Sequence, residues 1–173
     1  MKMLHLLRHA KSSAKEDVDD HERPLSRRGR AAARHVGEHL PAKLGAVDLV
    51  LCSDARRTRE TLDVVIAEFS PRPRIMLEEE LYLASAERLT KRLRRLAAHD
   101  TNVLLIGHNP GLHELAVTLS DTGSPAFAAL VSGKFPTAAR ATFRIPERWS
   151  TLGRSRYALV DYVTAASLPG DGS

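Results

Sequence analysis

Apolar residues in this chain fall into two alternating arrangements. Short continuous apolar runs alternate with longer stretches in which apolar positions recur every three or four residues. These are the signatures of buried strands and of one-faced helices. Met3–Leu7 reads as the first strand, and the polar stretch 11–24 (KSSAKEDVDDHERP) as a long loop. Leu25–Leu40 reads as a helix, with Ala32, Val36 and Leu40 on one face, Ser26 as a candidate N-cap and Pro41 as its stop. Val47–Cys52 is a second strand, and Ala55–Phe69 a second helix with Leu62, Val65, Ile66 and Phe69 aligned, ended by Pro71 and Pro73. Arg74–Leu77 reads as a short third strand and Ala86–Ala98 as a helix presenting Leu89, Leu93, Leu96 and Ala97.

Val103–Ile106 is apolar throughout, as a strand covered on both faces should be. Leu112, Leu115, Ala116 and Leu119 define the next helix, and residues 120–137, with two prolines and two glycines, read as an irregular loop. Ala141–Ile145 and Tyr157–Val163 are read as the last strands, paired as a hairpin. Strands alternating with helices imply an α/β domain with a mostly parallel sheet and helices on both faces. Residues 1–165 are read as one domain and 166–173 as a flexible C-terminal tail.

Composition narrows the setting. The chain has 173 residues, 43% of them hydrophobic and 27% charged, the balance of a soluble globular domain. No apolar run approaches the roughly eighteen residues of a membrane span, no secretory leader pattern opens the chain, and neither membrane nor nucleic acid is expected as a partner. A single cysteine, Cys52, lies inside an apolar run without metal-ligand spacing, which suggests a reducing, cytoplasmic setting. The net charge of +5 favours anionic partners.

Candidate chemistry gathers at three strand ends. The first strand runs into Arg8-His9, the second into Ser53-Asp54-Ala55-Arg56-Arg57, and the central one into Gly107-His108-Asn109-Pro110-Gly111. In a parallel sheet these ends share one edge, where open α/β sheets bind ligands. Two histidines and two arginines (Arg8 and either Arg56 or Arg57) would then converge near helix N-termini that favour anions. Such a set suits a phosphoryl group, because phosphoryl transfer needs positioning and charge neutralisation. There is no carboxylate cluster for Mg²⁺, so Arg and His would supply that charge. Adjacent Arg cations also disfavour imidazolium and keep a nucleophilic His neutral.

With LLRHA at 6–10, SDARRTRET at 53–61 and IGHNPGL at 106–112, the chain resembles the histidine phosphatase superfamily, which includes the phosphoglycerate mutases. ERPLSRRG at 22–29, LYLAS at 81–85 and KFPTAA at 134–139 make it most similar to the small SixA-type phosphohistidine phosphatases. The resemblance spans Met3 to about Val163 and implies a three-layer α/β/α sandwich of phosphoglycerate mutase type. It implies His9 as the nucleophile that forms a phosphohistidine intermediate, Arg8 and Arg57 as phosphate ligands, and His108 as a second His donating to the transferring group. It places Arg23 near the pocket and implies no metal and no cofactor. The substrate would be phosphohistidine on a protein or, alternatively, a small phosphate ester or another phosphoprotein.

Two departures bear on this. Ala10 replaces the glycine of many members, so a glycine-only backbone angle would be lost. The mutase-like branch uses a Glu after the third strand as general acid, and among Glu78, Glu79 and Glu80 the best candidate is Glu80. SixA-type proteins have no clearly assigned acid, in keeping with imidazole leaving a phosphoramidate far more readily than an alkoxide leaves an ester. Read from the residues alone, Arg23 can equally pair with the acidic loop at Asp17, Asp19, Asp20 and Glu22. His5, His21, His35, His39, His99 and His113 read as structural or exposed, Cys52 as core, and Lys134 as a rim contact. A non-enzymatic phospho-ligand module is the remaining class, though binding alone has no need of a nucleophile.

Overall fold

The computed structural model describes residues 1–169. Its core is one six-stranded sheet of β1 (Lys2–Arg8), β2 (Leu49–Ser53), β3 (Arg74–Glu78), β4 (Asn102–Gly107), β5 (Arg140–Ile145) and β6 (Ala158–Val163). The order is β3-β2-β4-β1-β5-β6. The first four strands are mutually parallel, and β5 and β6 add as an antiparallel pair at one edge. The mostly parallel sheet and the terminal hairpin are therefore as the periodicity predicts.

Two helices cover each face. Leu7, Val50, Cys52, Leu104 and Ile106 pack under α1 (Arg27–Leu44) and α2 (Arg56–Ile66). Leu4, Leu6, Leu51, Val103 and Leu105 pack under α3 (Ala86–Arg94) and α4 (Gly111–Leu119), joined by Phe135, Phe143 and Trp149. Continuous apolar strands follow from this, since successive side chains enter opposite cores.

Helix α1 departs from expectation at its end. It passes through Pro41 and stops at Gly45, which has φ of 68°. The proline forfeits one backbone hydrogen bond, but the added turn buries Leu44, and tertiary burial outweighs the local stop signal. At the other end Ser26 is the N-cap, its Oγ accepting from the Gly29 N–H. The segment 120–137 is not wholly irregular, because Phe127–Ser132 forms a short helix, α5, that buries Leu130. At the start of the expected tail, Ala165–Ser167 forms a 3-10 turn, and Ala165 and Leu168 pack against the α1/α2 core. Residues 170–173 of that tail lie outside the described residues.

The loop after β1 is pinned to α1 by one carbonyl. Lys11 O accepts from the Ser26 N–H at 2.9 Å and lies against Gly29, where an added Cβ would sit 2.0 Å from it. Gly29→Ala is therefore expected to destabilise the domain by about 1–3 kcal/mol through overpacking. Thermal or urea unfolding of the variant measures this.

Candidate active site

Residues Arg8 and Gly107 are register partners at the carboxyl ends of β1 and β4, and Ser53 ends the strand beside β4. The strand order reverses here, since β4 inserts between β1 and β2, so the three motif-bearing ends meet at a topological switch point.

His9 follows β1 and is buried. Its Nδ1 lies 2.7 Å from Ala10 O and must donate to it, which leaves the lone pair of the neutral ring on Nε2. Burial, and after it the Arg57, Arg8 and Arg23 charges, lower its pKa to about 4 against the opposing bond to Ala10, so the ring is neutral at pH 7. Ala10 itself does not adopt the left-handed conformation, so the missing glycine costs nothing here. Its N–H is taken by Thr61 Oγ1 at 3.0 Å.

Segment 134–139 braces the same strand end. Phe135 O accepts from Arg8 Nη1 at 3.3 Å and from Asn109 Nδ2 at 2.8 Å, while the Ala138 N–H donates to Arg8 O and His9 O. Lys134, Phe135 and Ala138 hold positive φ values of 55°, 52° and 65° to make this turn. Arg8 Nε is buried with no hydrogen-bond partner, a donor left for a ligand. Lys134 is exposed and contributes only its carbonyl, to Asn109, so the structure does not make its side chain part of the pocket wall.

His108 follows β4, with its ring centroid 5.3 Å from that of His9. Its Nε2 is 2.7 Å from Ser53 Oγ, and that oxygen accepts from the Ala55 N–H. Nε2 either accepts the Ser53 hydroxyl proton or donates to that oxygen, according to the tautomer. Nδ1 is buried and unpartnered, like Arg8 Nε. Burial, then His9 and Arg57, lower the His108 pKa to about 3, so this ring is neutral at pH 7.

Arg57, not Arg56, is the buried arginine of α2. Its Nη1 donates to Asp20 O at 2.7 Å and its Nη2 to Asp20 Oδ2 at 3.0 Å. Arg56 is a solvated partner of Glu60. Asp20 Oδ1 also accepts from Arg23 Nη1 at 3.0 Å, and its Oδ2 accepts from the Tyr82 hydroxyl. Arg23 donates further to Ser13 O and Ser12 Oγ. Arg23 thus pairs with the acidic loop and also lines the pocket. The Tyr82 bond first, then Arg23 and Arg57, hold the Asp20 carboxyl well below the usual range despite its partial burial. Asp20 and Tyr82 were not singled out from sequence as site residues. Their alignment depends on a contact 62 residues apart, and no local pattern reports it.

These groups surround a cavity of about 230 Å³ lined by Arg8, His9, Arg23, Arg57 and His108, together with Lys11, Ser12, Leu83, Asn109 and Thr137. Among the described residues four formal cations face it and no carboxylate does. Glu80, the expected acid, is not brought into it. Its carboxylate is half-exposed and tied to Arg95 at 2.5 Å and Arg92 at 3.5 Å, because the 3-10 turn Glu79–Leu81 buries Leu81 and turns Glu80 toward α3. Among the described residues no group of three or more His, Cys, Asp or Glu is arranged to hold a metal ion.

A parallel sheet whose switch point presents two neutral histidines among three arginines defines a phosphoryl-handling enzyme of a known class. The chain belongs to the histidine phosphatase superfamily, whose branch 1 sequence profile matches residues 4–82. Within it the chain is of SixA type. A structure assigned to phosphohistidine phosphatase SixA from Nakamurella multipartitia is 28% identical, with a TM-score of 0.83 over 94% of this chain and 95% of that one. An uncharacterized protein of Mycobacterium tuberculosis, MT1313, is 35% identical over 158 residues, covering 90% of this chain and 98% of its own. An α-ribazole-5'-P phosphatase structure from Escherichia coli shares the fold alone, at 20% identity and a TM-score of 0.67 over 95% of this chain and 98% of that one.

Proposed function

We propose that this protein removes the phosphoryl group from phosphohistidine on a protein, without a metal, through a phosphohistidine intermediate at His9. The observation that carries this reading is a nucleophile-ready His9 in a four-cation pocket with no carboxylate in its wall. Arg8, Arg57, Arg23 and the His108 Nδ1–H take the phosphoryl oxygens. The His9 Nε2 lone pair attacks phosphorus, and the P–N bond to the substrate imidazole breaks. That ring leaves neutral once its far nitrogen carries a proton, so it needs no carboxylic acid, whereas an alkoxide would. Water then attacks phosphorus, releases inorganic phosphate and regenerates neutral His9.

The cavity supports a large substrate in another way. At about 230 Å³ it is smaller than typical small-molecule sites of roughly 300–1,000 Å³, so it encloses the phosphoryl group and leaves the rest of the substrate outside. The net charge of +5 suits an acidic phosphorylated partner. A cytoplasmic setting, suggested by the single unpaired Cys52, is part of this proposal.

The test is phosphate release from a phosphohistidine-bearing protein and from a panel of alkyl phosphate esters. Release from the first and little from the second is expected; the reverse would assign the pocket to small esters. Glu80→Gln sharpens it. A working general acid contributes about 10²-fold or more, but this variant is expected to keep nearly full activity, because Glu80 serves Arg95 and Arg92.

A further inference from the structure

Leu83 is an anomaly in the LYLAS segment. It is the one apolar residue in the cavity wall beside His9 and His108, it is 52% exposed, and it holds φ at 50°. Exposure of a large apolar side chain and a left-handed backbone at a branched residue are both unfavourable, and a turn needing this φ would ordinarily use Gly or Asn. Observed strain of this kind at a pocket wall points to a functional contact.

Its neighbours hold it in place. Leu81 and Ala84 are buried on either side, and the Ala84 N–H donates to Leu81 O. Ala84 O lies so close to Gly111, the first residue of α4, that a Cβ there would come within 1.9 Å. Tyr82 is anchored through its hydroxyl to Asp20 and stands edge-on to the His108 ring at 5.4 Å. The segment is thus packed against the first residue of α4 and tied to Asp20, the residue that also accepts from Arg57, while Leu83 is left facing the cavity.

We propose that Leu83 is the apolar seat for the ring of the leaving group, and so a specificity-determining residue. Phosphoryl oxygens are held by cations on the other walls, and a planar ring leaving from phosphorus has only this side chain as an apolar surface to lie against. That the ring is an imidazole rests on the phosphohistidine reading; the apolar surface itself suits an aromatic or heteroaromatic leaving group.

Leu83→Asn and Leu83→Gly remove the apolar surface and suit the left-handed backbone, and Leu83→Met keeps an apolar side chain. The melting temperature, the inhibition constant for inorganic phosphate, the Kd for phenylphosphonate, and KM and kcat on a phosphohistidine protein are measured for each. For Asn and Gly we expect an equal or higher melting temperature and unchanged phosphate inhibition. Phenylphosphonate Kd and substrate KM should rise about tenfold, the equivalent of about 1.4 kcal/mol, with kcat little changed. Leu83→Met should stay near wild type. Unchanged phenylphosphonate binding in the Asn variant would overturn the proposal, as would an equal weakening of inorganic phosphate. If the wild type leaves phosphohistidine intact, the substrate reading fails, while the phenylphosphonate comparison still decides the role of Leu83.

Discussion

His9→Ala is expected to lower phosphatase activity by at least about 10³-fold and to abolish any acid-labile phosphoenzyme trapped with a labelled phosphodonor. The size follows from what the side chain alone supplies. Nδ1 is committed to Ala10 O, burial and three guanidinium charges keep the ring unprotonated, and Nε2 is the free lone pair in the cavity. Arginines and His108 would still bind the phosphoryl group, so phosphate and tungstate should bind the variant with little loss. That split, between retained anion binding and lost turnover, separates removal of a nucleophile from damage to the pocket. Near-normal turnover in a folded His9→Ala protein would eliminate the covalent route.

The second large effect is acid lability. His5, His9 and His108 are buried with pKa values lowered from 6.5 to about 4, about 4 and about 3. His5 sits in β1 between Thr142 Oγ1 at 2.8 Å and Asn102 Oδ1 at 2.6 Å, and desolvation dominates its shift. In each case folding favours the neutral ring. Their stabilisation is therefore complete above pH 6.5, where the unfolded chain is also neutral. As pH falls from 6.5 toward 4, the unfolded chain binds protons that the folded one refuses, and stability drops. The loss summed over three such groups is on the order of 9 kcal/mol by pH 4, comparable with the whole stability of a small domain. Asp20, whose carboxyl is lowered from 3.8, extends the loss further into acid. Urea midpoints measured from pH 8 to 4 should be flat above 7 and fall steeply below 6.5; a flat profile down to pH 4.5 would show that these rings titrate freely in the folded protein.

The two effects have one origin. Enclosing a cationic pocket at the switch point keeps His9 neutral at pH 7, and the same enclosure makes its protonation costly. Cys52 shows the companion case away from the pocket, where burial pushes a thiol up so that it stays an inert core group.

Much of this architecture was legible in the chain. Continuous apolar runs marked β1, β2 and β4 because those strands are covered on both faces, and the Arg8-His9, Ser53-to-Arg57 and Gly107-His108 junctions lay at their carboxyl ends. Errors fell where a local signal met a long-range contact. Pro41 announces a stop, yet burial of Leu44 continues α1; the loop 120–137 folds α5 because Leu130 finds a core. Glu80 sits in the right stretch for an acid, but Arg92 on α3 and Arg95 just past its end hold its carboxylate away.

By itself, the sequence determined the class of sheet and the strand ends that meet, with Arg8, His9 and His108 placed at them, since periodicity and spacing are local properties that a parallel topology turns into one edge; spacing left Arg56 and Arg57 open, and the family resemblance implied Arg57. Only the tertiary structure decided which nitrogen of each histidine is free, how Asp20 ties Arg57 and Arg23 together, that no carboxylate faces the cavity, and that Leu83 does. Those outcomes depend on hydrogen bonds and packing between segments tens of residues apart, whose energies no single stretch of chain contains.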